Sequence, residues 1–190
     1  MAMKDKSNTR NQETQDTEGL AGKYLTFGLG QEGYGISILK IKEIIGMIPI
    51  TPLPHTPAYI KGVINLRGKV IPVTDLRLKF GLLAQDYSDR TCIIVVEIHN
   101  HSKSIIMGLL VDGVSEVANI RGGDIEKTPD FGTRLQSDFI QGIAKMDGRV
   151  KILLDIDRLL TEEQLASLAD PPASRKEPHA AVFPLEEAAA

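Results

Sequence analysis

The stretch YIKGVINLRGKVIPVTDLR, residues 59–77, returns eighty residues later as FIQGIAKMDGRVKILLDID, residues 139–157. Five of the nineteen positions are identical: Ile60, Gly62, Gly68, Val70 and Asp75 recur as Ile140, Gly142, Gly148, Val150 and Asp155. Unrelated sequence of ordinary composition gives about one such match. Lys69 with Arg149, Val63 with Ile143 and Leu66 with Met146 are conservative pairs. Upstream, YGISILKIKEI (residues 34–44) matches MGLLVDGVSEV (residues 107–117) at an offset of 73, pairing Gly35 with Gly108 and Glu43 with Glu116. The connectors between these blocks therefore differ by seven residues (80 − 73 = 7), one proline-rich and the other polar. A unit this short supplies four or five strands, enough to close a small barrel but marginal alone. Two copies packed together share apolar surface, so the duplication dictates a two-barrel architecture.

The local signals agree. KYLTFGL, EGYGIS, GVINL, KVIPVTDL, TCIIVVEI, SIIMGLLVDGV and KILLDI are β-branched runs bounded by Gly, Asn, Asp or Pro, the mark of short strands. Asp147-Gly148 is a two-residue hairpin turn, with Arg67-Gly68 at the same place in the first copy; Gly68 and Gly148 are expected at positive φ. Pro72 lacks an amide to donate and predicts an edge strand. Asp75 caps a short helix that Gly81 stops, and Asp155 caps its counterpart. Thr161 to Gln164 reads as a capping box opening EEQLASL.

Composition narrows the class. With 22 basic and 25 acidic residues the net charge is −3, which argues against a nucleic-acid footprint. Aromatics make up 5% with no Trp, so Ile, Leu and Val must fill the core. No apolar run approaches the roughly 18 residues of a membrane span, and the N-terminus has no apolar signal-peptide region, so direct membrane insertion is not expected. The single cysteine, Cys92, excludes an intrachain disulfide and fits a reducing cytosol. It reads either as a small buried apolar residue or as a reactive thiol. Residues 1–21 and 171–190 are too poor in apolar groups to offset chain entropy and read as disordered tails, although AVFPL in the second has the character of a short docking motif. Residues 22–170 are left as the folded domain.

Catalytic signals are few. GLGQEG matches G-x-G-x-x-G at Gly28, Gly30 and Gly33, but a dinucleotide loop must open a helix, and YGIS reads as strand. A hairpin turn is the stronger reading. His99 and His101 flank Asn100 between two strands, with no neighbouring ligands to complete a metal site. His55 has no nucleophile beside it, Ser residues lack an elbow context, and no phosphate-binding P-loop occurs. The expectation is no enzyme, no cofactor and no metal. An enzyme built on the Gly28 loop and an RNA-binding small barrel remain as competitors; a nucleotide titration and an RNA mobility shift discriminate them.

YGISILKIKEII, ITPLPHTPAYIKGVINLRGKVIPVTDLRLKFG and GLLVDGVSEV together resemble the CheW-type coupling proteins of bacterial chemotaxis, over about residues 22–168. The resemblance implies a mainly β fold of two intertwined five-stranded SH3-like barrels with short helices. It also implies a non-catalytic scaffold. Such a protein joins the cytoplasmic tips of methyl-accepting chemoreceptors to the regulatory domain of the histidine kinase CheA, and meets other copies of the coupler in array rings. The expected location is the cytoplasm, with recruitment to membrane-associated receptor arrays. The related kinases and CheV-type proteins carry further domains, which the roughly twenty residues after Asp170 leave no room for, so a stand-alone coupler is expected. A coupler serving twitching or development instead of swimming is the alternative within the family.

The resemblance places the receptor against Ile41, Glu43, Arg67, Cys92 and Ile93, in a groove between the barrels. Read alone, Glu43 and Arg67 are ordinary surface charges, and Ile41 and Ile93 ordinary core. Arg67 is unusual at a hairpin tip, where its repeat partner Asp147 is the better turn residue. A helix in a groove needs an apolar floor and charged rims, which these residues supply in kind. Kinase contacts fall by resemblance on Asp130 and Phe131, in TPDF, and on Ile44 in the first barrel. Phe131 read alone plugs its own loop. Deleting residues 1–20 and 172–190 is expected to leave the fold and kinase activation intact, as checked by an activation assay of the shortened chain; loss of activation would show that the AVFPL tail docks something.

Overall fold

The computed structural model describes residues 17–100, 103–128, 138–146, 148–160 and 164. Of these, 17–160 lie in one compact unit and Gln164 in a second, so the expected capping box and the domain boundary at 170 lie outside the described residues. The expected N-terminal tail, residues 1–21, is shortened: Thr17 is buried, Leu20 packs on the core of barrel two, and its carbonyl accepts from Tyr24 Oη at 2.8 Å.

The strands form two sheets. Barrel one is the sheet β3-β6-β7-β5-β4, built from β3 (Ile41–Gly46), β4 (Ile60–Leu66), β5 (Lys69–Asp75), β6 (Cys92–Asn100) and β7 (Lys103–Val111). Barrel two is the sheet β8-β1-β2-β11-β10-β9, built from β1 (Gly22–Leu29), β2 (Glu32–Ser37), β8 (Gly113–Ile120), β9 (Ile125–Glu126), β10 (Ile140–Met146) and β11 (Arg149–Leu154). The first five strands of barrel two stand in the same order as their repeat counterparts in barrel one. The two-residue β9 is the sixth, and its counterpart in barrel one is the single bridge Thr51–Val63. The fold is thus mainly β, two intertwined SH3-like barrels with short helices.

The halves of the chain are exchanged between the barrels. Hairpin β1–β2 belongs to barrel two, whereas β3–β5 of the same half build barrel one. Two parallel ladders stitch the halves together: β5 to β7 through Val73–Gly108, and β2 to β11 through Gly35–Leu153. Those two pairings are the same pair of repeat positions. So are the bulges at Ile60/Gly62 and Ile140/Gly142, and the bonds from Asp75 N to Tyr59 O and Asp155 N to Phe139 O, both 2.7 Å.

Each barrel has its own core. Ile64, Ile71, Val73, Ile93, Val95 and Leu110 fill barrel one; Tyr24, Ala118, Ile120, Ile125, Ala144 and Leu153 fill barrel two. Both are mostly aliphatic, Tyr24 in barrel two being the one aromatic member of the two clusters. Aromatic rings serve between them: Phe80, at the end of the short helix Leu76–Lys79 of barrel one, stands 5.4 Å from Tyr34 and 5.1 Å from Phe139 of barrel two. Tyr34 continues the stack to Phe27 at 5.8 Å.

Three local expectations need correction or sharpening. SIIMGLLVDGV is two strands, because Asp112 carries the chain from β7 in barrel one to β8 in barrel two. Pro72 is not on an edge: β5 lies between β7 and β4. Its partner Val63 exchanges both backbone bonds with Thr51 at 2.8 Å, so Val63–Pro72 is a non-hydrogen-bonded pair and position 72 faces away from β4. The ladder to β7 begins only at Val73, so the missing N–H costs no ladder bond. The capped segment at Asp155 is a 3-10 turn, Ile156–Arg158; Asp155 still accepts from Asp157 N, as Asp75 accepts from Leu78 N in the first copy.

The turn expectations hold. Gly68 has φ 83 and Gly148 φ 71, and Arg67 adopts φ 53, so both described positions of the first turn are left-handed. Asn65 Oδ1 accepts from Gly68 N at 2.9 Å and steadies that turn. Gly62 serves a different purpose. A Cβ there would lie 2.0 Å from Thr51 O, because barrel one closes by laying residue 51 directly over the bulge. At Gly68 a Cβ meets nothing within 4 Å. Gly62→Ala is therefore expected to cost about 3 kcal/mol or more, from steric overlap added to strain, while Gly68→Ala costs about 1 kcal/mol from strain alone. Urea denaturation of the two variants checks the order, and equal losses would place barrel closure elsewhere.

Candidate functional site

Most of the expected receptor contacts gather on the flank of barrel one. β3 pairs with β6 through a bulge at Lys42, so Ile41 lies opposite Val96 and Glu43 opposite Val95. The bulge turns the strand, and beyond it exposure alternates: Glu43 half-buried, Ile44 exposed, Ile45 packed on the core. Arg67 reaches from the β4–β5 turn to Glu43, Nη2 to Oε2 at 2.8 Å. The two expected rim charges are thus partners. Arg67 is 78% exposed and Glu43 27%, so the guanidinium is the outward member and offers its remaining donors to solvent or to a ligand.

Lys42, beside the bulge, pairs with Glu97 on β6. That bond, with a second from Ser104, holds the Glu97 carboxyl down to about 2, so this edge stays charged. Cys92, opposite Gly46 at the start of β6, is half-buried. Burial pushes its thiol pKa up, against a smaller opposing effect of a backbone hydrogen bond at Val114, near the start of β8 in barrel two. A thiol held protonated is a small apolar surface.

Ile93 is 0% exposed, inside the core of barrel one. It supports the flank from beneath and presents nothing at the surface. Ile44, by contrast, is 45% exposed on β3. Asp130 and Phe131 lie outside the described residues, as do His101 and Asp147.

Among the described residues, six further exposed apolar residues were not expected as contacts from the sequence: Leu39, Val70, Leu83, Tyr87, Val117 and Val150. Val117 is the repeat counterpart of Ile44, and Val150 that of Val70. Both barrels therefore display the same two apolar positions to solvent. The repeat held this signal, since Val70 and Val150 are among its five identities, but a valine in a strand reads as core until the pleat is known.

The GLGQEG stretch is a hairpin: Gly28 pairs with Gly33 and Leu29 with Glu32, and Gly30 turns the chain at φ 63. No helix opens there to hold a phosphate. His99 lies within β6, opposite Ser104, not between strands, and its backbone N–H donates to Asp157 Oδ1 at 2.9 Å. Among the described residues no group of three or more His, Cys, Asp or Glu is placed to hold a metal, and no helix is long and apolar enough to cross a membrane.

A paired-barrel domain with a charged, partly apolar flank and duplicated exposed valine or isoleucine positions defines a protein-docking scaffold fold. The chain matches the family described as CheW-like domain over residues 23–164. It is 38% identical over 149 residues to the chemotaxis protein CheW of Klebsiella aerogenes, covering 78% of this chain and 87% of that one. With the chemotaxis protein CheW of Rhizobium meliloti the identity is 36% over 140 residues, covering 74% and 88%. Among solved structures, the scaffolding protein TtCheW from Thermoanaerobacter tengcongensis superposes with a TM-score of 0.67 at 38% identity, covering 76% of this chain and 95% of that chain. This protein belongs to the CheW family of chemotaxis scaffold proteins.

The Glu43–Arg67 pair is exposed enough to contribute at most about 1 kcal/mol to stability. Arg67→Asp and Glu43→Lys are each expected to lower stability by no more than that, and the double reversal to restore it. Thermal melts of the three variants test this; a loss of several degrees that the double does not recover would make the two residues structural.

Proposed function

We propose that this protein couples the cytoplasmic tips of methyl-accepting chemoreceptors to the regulatory domain of the histidine kinase CheA, without catalysis of its own. The observation that carries this reading is the duplicated surface: Ile44 and Val70 on barrel one answer to Val117 and Val150 on barrel two. A scaffold that must hold two partners at once needs two alike docking ends, and apolar exposure at matched positions supplies them. Membership in a family named for chemotaxis supports the same conclusion.

In this reading the receptor helix lies against Ile41, Glu43, Arg67 and Cys92, with Ile93 holding the floor from below. Arg67 supplies the rim charge that sets register, and its bond to Glu43 preorganises it. The kinase contacts are Ile44 on barrel one and Asp130 and Phe131 after β9, with other copies of the coupler meeting the same ends in array rings. The protein works in the cytoplasm and is recruited to receptor arrays at the membrane.

The test is kinase autophosphorylation with receptor-bearing membranes, with and without the protein. Arg67→Asp is expected to abolish receptor control while kinase binding and melting temperature stay near wild type. Ile44→Ser and Phe131→Ser are expected to weaken kinase association by on the order of 2 kcal/mol each, the scale of an interface hot spot. Normal inhibition by attractant in Arg67→Asp would move the receptor off this flank, and full kinase binding by both apolar variants would move the kinase off these ends.

A further inference from the structure

Where the chain crosses between barrels, two carboxylates are each gripped from two sides. Asp112, in the β7–β8 crossover, accepts from Gly30 N of the β1–β2 turn at 2.7 Å and from Arg77 Nη1 of the short helix at 2.5 Å. Asp157, in the 3-10 turn after β11, accepts from His99 N at the end of β6 at 2.9 Å and from Lys40 Nζ, at the β2–β3 crossover, at 2.5 Å. All four side chains are largely shielded, between 15% and 30% exposed.

These are one arrangement used twice. Leu29 pairs with Glu32 as Ile98 pairs with Ile105, which makes Gly30 and His99 equivalent residues of equivalent hairpins. Arg77 and Asp157 are repeat partners eighty apart, and Lys40 and Asp112 sit in the matching crossovers. The signs, however, are exchanged. In one clamp the helix carries the cation and the crossover the acid; in the other the crossover carries the cation and the turn the acid. The consequence lies in how the charges are shared between the halves. Lys40 and Arg77, both cations, come from the first half, and Asp112 and Asp157, both anions, from the second.

We propose that these four residues set the position of one barrel on the other, and that their segregation by half prevents either half from pairing with a copy of itself. A first half set against another first half would bring Lys40 to Arg77. Two second halves would bring Asp112 to Asp157. Like charges at such shielded positions repel strongly, whereas the aliphatic cores, built at the same repeat positions, discriminate little. The clamps therefore supply a choice of partner that packing alone does not.

The test uses the full chain without any partner, so its result is independent of what the protein couples. Spin labels at Lys69→Cys and Arg149→Cys, exposed and one in each barrel, report the inter-barrel distance in a Cys92→Ala background. Asp157→Lys and Asp112→Arg are each expected to replace one narrow distance by a broad distribution. Lys40→Asp combined with Asp157→Lys should restore the narrow distance; Lys40→Asp combined with Asp112→Arg should not, since both clamps then hold like charges. Should a single reversal unfold the chain, the matched double decides: recovery of the narrow distance supports the assignment. An unchanged distance in the single variants, or a matched double that does not recover it, overturns the proposal.

Discussion

The pairing of β5 with β7, and of β2 with β11, is the contact on which everything else rests. Each is a parallel ladder between strands from opposite halves of the chain. Without it, β5 and β11 each lose a neighbour, and two β-hairpins are left without sheets. Isolated hairpins are marginal in water. Neither half is therefore a stable barrel, and the two are obliged to fold together. The close approach depends on small residues: a Cβ at Gly108 would lie 3.3 Å from Val73 Cγ2, and one at Gly35 would lie 3.0 Å from Leu153 Cδ2. Repetition of this glycine in both copies is thus a packing requirement of the crossing.

A frame repeated so closely offers the same positions twice and lets side chains make them different. At the positions of Glu43 and Arg67, barrel one closes its flank with an ion pair, and at Val117 and Val150 barrel two repeats the exposed apolar residues of barrel one. At the crossovers the same geometry carries opposite polarity, Arg77 against Asp112 and Asp157 against Lys40. Scaffolding follows from this combination. Matched backbones make two similar ends, and unmatched charges tell the ends and the halves apart.

Much of this was open to inspection along the chain. The hairpin turns at Gly68 and Gly148, the Asp75 and Asp155 caps and the strand runs are local chemistry, decided by a few neighbouring residues. Position 72 misled because proline's demand is local while its satisfaction is not: the pair with Val63 turns its missing donor toward a stretch where no ladder has yet begun. Ile93 shows the same limit at the site. Its neighbour Cys92 is half-buried at the start of β6, whereas Ile93 to Val96 are all buried, because the strand between β3 and β7 is covered on both faces, which no local pattern reveals. The pairing of Arg67 with Glu43 depends likewise on the twist that brings a hairpin tip over β3.

The amino-acid sequence by itself determined that there are two copies of one β unit, where their turns fall, that their cores are mostly aliphatic, and to which family of scaffolds they belong. Those properties follow from short-range patterning and from residue identity. Only the tertiary structure decided that the copies exchange hairpins, that Lys40, Arg77, Asp112 and Asp157 meet at the crossovers, and that valines at 70, 117 and 150 face water. These depend on contacts between residues 30 to 120 positions apart, and no local preference specifies a partner at that separation; it is chosen by which arrangement lets every strand find a neighbour and every shielded charge its opposite.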